Sequence, residues 1–314
     1  LKRAICATLL ACCPATFGAA WADTYPSKVV RIVTAAAGGG SDFASRLIAA
    51  PLSASLGQQV IVDNRGLLAA DIAAKAAPDG YTLLLSGPTL WLLPFMRDNV
   101  ATDARDFAPI TMATQTVNIL VVHPALPVGS VNALVSLAKA KPGALNFATS
   151  GTGNSVHIAG ELFKAMSGCD IVRINYKGAS QALTDLAAGQ TQLMFGVPGS
   201  VMPHVKSGRL RALAVTSAKA SPLAPGLPTV AAAVPGYESV SYLAILAPSG
   251  APAAIVTRLH QEIARVLNQA GVRDKFMAAS IETLGSSPET TTALIKAETA
   301  RMGKVIKAAN IRAD

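Results

Sequence analysis

Twice in this chain an apolar strand runs through a glycine turn into a helix, and that repeated step restricts the fold more than any other feature. Residues 28–34 carry Val29, Val30, Ile32 and Val33 and predict a buried strand. They lead into Gly38-Gly39-Gly40-Ser41-Asp42. Phe43, Leu47, Leu52 and Leu56 then fall near one helical face, with Pro51 expected to kink the helix. The step returns with a short strand over 145–148, the turn Gly151-Thr152-Gly153-Asn154-Ser155, and a helix over 156–166. Further strands are expected at 60–63, 81–85, 170–175, 192–195, 210–215 and 237–246, with one or two more over 110–122. Helices are expected at 71–77, 130–139, 179–188, 201–206, 252–268 and 288–307, and the Pro-rich stretch 222–235 reads as a connection. Strands alternating with helices predict an α/β fold with parallel sheets covered by helices on both faces. A length of 314 residues predicts two domains.

Both glycine turns suit an anion. Each opens a helix, whose first N–H groups lack intrahelical partners and carry partial positive charge. Glycine lets a ligand approach the backbone closely. Facing one another, Gly38, Gly39, Gly40, Ser41 and Asp42 on one side and Gly151, Thr152, Gly153, Asn154 and Ser155 on the other could hold a carboxylate or phosphate. The alternative is that the glycines serve only the turns, with Ser or Asp as helix caps.

Enzyme motifs do not fit. A dinucleotide fingerprint starting at Gly38 meets Phe43 where a small residue is needed, and no Walker lysine follows either turn. Gly153-x-Ser155 meets His157 instead of the second glycine of a nucleophile elbow. His123, His157, His204 and His260 lack metal-ligand spacing, so neither a metal nor a cofactor is expected. The remaining catalytic alternative is an exported α/β hydrolase or transferase using Ser155 and His157. The net charge of +9 comes from singly scattered Lys and Arg, with no basic arm or stripe, which argues against nucleic acid as a partner.

The first residues read as a targeting segment. Lys2 and Arg3 precede an uncharged stretch from Ala4 to Ala20, and Ala20-Trp21-Ala22 fits a small-x-small cleavage site. A membrane anchor is disfavoured by Pro14 and Gly18, which interrupt a stretch already short for a span. Lipid attachment at Cys12, after Leu9-Leu10-Ala11, is a further alternative. Cleavage after Ala22 removes Cys6, Cys12 and Cys13 and leaves Cys169 alone, so the exported chain depends on its apolar cores and not on an internal disulfide.

Many short segments, in order, resemble one family. They include Gly38 to Asp42, Ala77-Pro78-Asp79-Gly80-Tyr81-Thr82-Leu83, Asp106-Phe107-Ala108-Pro109-Ile110 and Leu120-Val121-Val122-His123-Pro124. Gly151 to Ser155 with His157-Ile158-Ala159-Gly160-Glu161 follow, then Tyr176-Lys177-Gly178, Gly208-Arg209-Leu210-Arg211 and Leu246-Ala247-Pro248. From Tyr25 to the C-terminal helix the chain resembles the Bug-type solute-binding proteins of tripartite tricarboxylate transporters. The resemblance implies a type II periplasmic binding-protein fold, with two α/β domains closing on a ligand in a cleft. The implied layout is a signal peptide over 1–22, a first domain formed by 23–122 and 228–314, and a second by 123–227. It further implies a periplasmic monomer that carries a small organic acid to the membrane subunits of a transporter or to a sensor kinase. The two turns, with Ser86, Thr89, His157, Tyr176 and Gly196, are the implied ligand-binding residues. Four departures stand out: Thr34-Ala35-Ala36-Ala37 before the first glycines, a shortened loop after Asn64-Arg65, Pro51 in the helix, and Gly196 where an acidic or amide residue is frequent. The shortened loop motivates a third reading, a paralogue that folds without binding.

The targeting segment gives the first prediction. N-terminal sequencing of the protein recovered from the periplasm should begin at Asp23. A lipid-modified chain starting at Cys12 would establish the lipoprotein alternative instead.

Overall fold

A computed structural model describes residues 25–38, 40–149, 154–176, 178–308 and 310–312. The predicted signal segment lies outside them. In chain order the first part contains β1 (Val30–Thr34), α1 (Gly40–Leu56), β2 (Val60–Asn64), α2 (Ala69–Ala74), β3 (Thr82–Ser86), α3 (Thr89–Met96) and β4 (Phe107–Val117). Next come β5 (Ile119–Val122), α4 (Val131–Ala140), β6 (Asn146–Thr149), α5 (Ser155–Ser167), β7 (Val172–Asn175), α6 (Ala179–Ala187), β8 (Leu193–Gly196), α7 (Pro198–Lys206) and β9 (Arg211–Val215). The chain ends with β10 (Val240–Pro248), α8 (Ala253–Leu267), α9 (Ala270–Ala278), β11 (Glu282–Thr283) and α10 (Pro288–Ala308).

Two sheets result. The first has the order β11-β4-β10-β3-β1-β2 and the second β7-β6-β8-β5-β9. Both are mixed, which corrects the expectation of parallel sheets. β1 pairs in parallel with β2 and β3, but β10 is antiparallel to β3 and β4. In the second sheet β6 is parallel to β7 and β8, while β5 is antiparallel to β8 and β9. The physical reason is connectivity. A parallel neighbour needs a helical crossover that returns the chain to the same edge, whereas β4, β5, β9 and β10 carry the chain between the two sheets.

Apolar burial explains the layers. On one face of the first sheet Ile32, Leu83, Leu85 and Ile245 pack against Ile48 and Leu52 of α1 and Leu259 and Ile263 of α8. On the other face Val33, Leu84 and Leu246 belong to a larger core. That core takes in Trp91 of α3 and Ile306 of α10 and continues through Leu120, Phe163, Phe195 and Tyr237 into the second sheet. Sheets covered on both faces read as continuous apolar runs, which is why the strands were visible in the sequence. Helix α1 buries Ala44, Ser45, Ile48, Ala49, Leu52 and Leu56 and leaves Phe43 39% exposed. The predicted face was displaced because Ala and Ser, small enough for close packing, carry no hydrophobic signal. Pro51 stands within this helix, which continues to Leu56. Helices α3 and α9 were not anticipated: α3 is apolar all round and so has no readable period.

The chain passes from the first sheet to the second at Asn118, between β4 and β5, and not at the expected boundary of 122 and 123. It returns between β9 and β10, through residues 216–239. The two passages are pinned together. The Asn118 N–H donates to Thr216 Oγ1 at 2.8 Å, and that hydroxyl donates to the Asn118 carbonyl at 3.0 Å. The Thr216 N–H donates to the same carbonyl at 2.9 Å, and the Ser239 N–H to the Thr216 carbonyl at 2.8 Å. Asn118 and Thr216 are buried. Replacing Thr216 by the isosteric Val leaves a buried N–H without its acceptor, at a cost of about 1–3 kcal/mol. Urea unfolding of Thr216→Val should show a loss of that size; an unchanged midpoint would mean the pin contributes nothing.

Candidate functional site

The first glycine turn is held from within. Gly38 adopts φ +80°, the left-handed region that glycine enters without strain. Helix α1 begins at Gly40, so Asp42 is its third residue and not its cap, as the sequence had implied. From there its carboxylate reaches back and accepts from the Gly38 N–H at 2.9 Å. It also accepts from Asn64 Nδ2 at 3.0 Å and Arg46 Nε at 2.8 Å. Asn64 Nδ2 donates in addition to the Ala35 carbonyl at 3.0 Å, and Arg46 Nη2 to Asn64 Oδ1 at 3.0 Å. The Gly38 N–H, followed by the Arg46 guanidinium, holds the Asp42 carboxyl down at about 2. The Gly38 donor is therefore engaged by Asp42 inside the protein. Among the described residues beyond its own helix, a Cβ at Gly40 would meet nothing within 4 Å, so packing against them does not demand glycine there. Gly39, and Gly151, Thr152 and Gly153 of the second turn, lie outside the described residues.

Between the two sheets lies a cleft of about 800 Å³. The C-terminal end of β3 and the α3 start contribute Ser86 and Thr89, the α1 start contributes Ser41, and the α5 start contributes Asn154 and Ser155. This is the crevice beyond the carboxyl ends of parallel strands, where helix N-termini converge and open α/β sheets bind ligands. Asn154 is the cap of α5, its Oδ1 accepting from the His157 N–H at 3.0 Å. The Ser155 carbonyl accepts from Asn118 Nδ2 at 3.1 Å, so the start of α5 is tied to the passage between the sheets. Leu67, Leu90, Leu92, Leu93, Met96 and Met302 give the cleft an apolar wall, and Asp71, Arg97 and Glu298 are its charged lining residues.

Among the described sequence candidates, Gly38, Gly40 and Asp42 of the first turn do not line this cleft, and neither do His157, Tyr176 and Gly196. His157 is 2% exposed on α5, with Arg173 Nη1 2.6 Å from its Nε2. Burial first, then the Arg173 and Lys164 charges, lower its pKa to about 4, so the ring is neutral at pH 7. Positions i and i+2 of a helix do not face each other, so Ser155 and His157 are poorly placed to work as nucleophile and base. Tyr176 donates its N–H to the Thr149 carbonyl at 2.9 Å and packs against the α6 core. Burial and the neighbouring Asp185 raise its phenol pKa. Gly196 is buried in β8, where an added Cβ would lie 2.2 Å from Val201 Cγ1. Its glycine is explained by packing.

Ser239, Ser241, Asp71 and Glu298 line the cleft and were missed. Glu298 left a readable signal. It falls between Ile295 and Met302 on the inward stripe of α10, and an acid on an apolar face calls for a reason.

Two α/β lobes flank a cleft that combines an apolar wall with hydroxyls at helix starts, the architecture of a two-lobed receptor, and comparison with known proteins agrees. Residues 44–311 match the tripartite tricarboxylate transporter family receptor, TctC. The protein BugT of Bordetella pertussis is 34% identical over 298 residues, 91% of this chain and 90% of that protein. A solved structure of an R. palustris protein with adipate is 37% identical, with a TM-score of 0.72 over 92% of this chain and 99% of that one. MatC from Rhodopseudomonas palustris, solved with bound malate, is 25% identical with a TM-score of 0.67 over 90% of this chain and 100% of that one. The chain belongs to the TctC receptor family, and its fold is that of the periplasmic binding proteins.

The Asp42 network makes a prediction with a definite sign. A carboxylate whose folded pKa lies near 2, below its unfolded value of about 3.9, contributes stability that is present above pH 4 and lost as pH falls through 2. Asp42→Ala should lower the ligand-free Tm at pH 7, and the gap to the parent should narrow between pH 4 and pH 2. A gap constant with pH would show that the Asp42 charge contributes no stability.

Proposed function

We propose that this chain is a periplasmic solute-binding receptor that captures a small organic acid, with one or two carboxylates. The cleft carries the reading: Ser41, Ser86, Thr89 and Ser155 bring neutral donors from both sheets' helix starts to one place. Hydroxyls and unpaired helix N–H groups complement a carboxylate, and a low-dielectric apolar wall strengthens that attraction. The adipate and malate of the two R. palustris relatives support the ligand class. The receptor works as a monomer without cofactor or catalysis and hands its ligand to the membrane subunits of a tripartite transporter or to a sensor kinase. Its signal peptide is cleaved after Ala22. Gly39, Gly151, Thr152 and Gly153 complete the carboxylate cradle in this reading.

Thermal-shift screening against an organic-acid panel tests it. A ligand at a hundredfold excess over Kd stabilises the fold by about 2.7 kcal/mol. Calorimetry with the best hit should show Ser155→Ala and Ser86→Ala each weakening binding by about 1.5–3 kcal/mol, the worth of a hydrogen bond to a charged group. A panel in which no acid raises the Tm would favour the paralogue that folds without binding. Turnover of a bound ester would favour the hydrolase.

A further inference from the structure

Helix α10 buries Thr291, Ile295, Glu298, Met302 and Ile306 along one stripe, so one ionisable group sits in an otherwise uncharged row. Glu298 is 4% exposed and lines the cleft beside Met302. Its Oε2 accepts from the Trp91 indole N–H of α3 at 2.9 Å. Glu238, before β10, and Tyr242, on β10, are the other ionisable groups acting on it from neighbouring elements, and Arg301 acts from its own helix. The Arg301 guanidinium is bonded to Glu238. A carboxyl group in such a place is costly unless its oxygens are hydrogen-bonded, and the indole supplies one donor.

We propose that Glu298 is a specificity-determining residue of the cleft, selecting organic acids that carry a hydrogen-bond donor in addition to the carboxylate. The inference rests on the carboxylate-receptor reading and names which carboxylates that receptor prefers. The donor is a hydroxyl, an amide N–H or an ammonium group. A ligand with only hydrocarbon beyond its carboxylate offers Glu298 no donor. A second carboxylate meets a like charge and needs a shared proton. Burial raises Glu298 to about 7, opposed by the Trp91 N–H and the Arg301 charge and reinforced by Glu238. The acceptor is therefore fully anionic only above neutral pH. Preference for an ammonium group is largest near pH 8 and falls as pH drops through 7.

The test uses two length-matched sets of acids: butanoate, 4-hydroxybutanoate, 4-aminobutanoate and succinate, and their six-carbon equivalents. Affinities are read by calorimetry at pH 8 and pH 5.5. Trp91 emission serves as a local reporter, since the other tryptophan, Trp21, belongs to the predicted signal segment. In at least one set the hydroxy or amino acid should bind about tenfold to hundredfold more tightly than the unsubstituted acid at pH 8. It should also shift Trp91 emission. Glu298→Met should bring that ratio close to one without abolishing binding of the unsubstituted acid. Glu298→Gln keeps an acceptor for the indole and should retain the hydroxyl preference while losing that for ammonium. If the Met variant does not fold, judged by its ligand-free Tm, the Gln variant decides the matter through the amino acids. Carboxylates that bind with no preference for donors overturn the role of Glu298, as does a preference unchanged in the variants. Binding of no acid in either set overturns the receptor reading itself, and the role of Glu298 with it.

Discussion

The two passages between the sheets are the constraint on which the molecule depends. A chain that leaves one sheet, builds a second and returns must bury two stretches of backbone whose N–H and C=O groups have no strand partners of their own. Here they satisfy each other. Thr216 exchanges hydrogen bonds with both backbone groups of Asn118, and Ser239 closes on Thr216 in turn. The fully buried Tyr237 then donates to the Ala159 carbonyl of α5 and anchors the return. The cleft lies beside this seam, where hydrogen bonds between the two passages join the sheets. Any closure on a ligand must be taken up by dihedral changes around Asn118 and along 216–239.

The same economy governs the first glycine turn. A turn poised to meet an anion needs a fixed backbone, yet glycine is the residue least able to fix itself. Asp42 resolves this by holding the Gly38 N–H, with Asn64 and Arg46 bracing its carboxylate from β2 and from the next turn of α1. An acidic residue in the first helical turn is also favoured by the partial positive charge there. The cost is that one carboxylate and one backbone donor serve the protein instead of a ligand. It is Ser41, Ser86, Thr89, Asn154 and Ser155 that line the cleft.

What the sequence disclosed follows from the same physics. Strands β1 and β3 and helix α8 were legible because their burial imposes a period or a continuous apolar run. The passage at Asn118 was not, because 110–122 reads as one apolar stretch. Its break is a single buried polar residue whose partners are almost a hundred positions away. Asp42 looked like a cap because the two residues before it in the helix, Gly40 and Ser41, give no apolar signal of their own. Gly196 looked like a site because glycine replaced a more usual polar residue, whereas the pressure on it comes from Val201 on the following helix. In each case the missing information was tertiary, and no local pattern could supply it.

The seam and the cleft are one mechanical unit. Asn118 Nδ2 donates to the Ser155 carbonyl, so the residue that carries the chain between sheets also positions the first turn of α5. In the proposed receptor, a carboxylate bound at that turn would pull on a helix anchored to the seam, and the lobe carrying α5 would approach the ligand only as the seam allows. Neutral hydroxyls and amides suit such a device. Their attraction for the ligand falls off over a short distance, so it reaches full strength only when both helix starts are close to the anion. A guanidinium as the principal anchor, with its longer-range Coulomb field, would hold an anion nearly as well in an open cleft; Arg97 is the one such group among the described lining residues. In the proposed receptor, recognition by short-range donors would therefore couple binding to closure, the coupling that a receptor presenting its ligand in a distinct closed state requires.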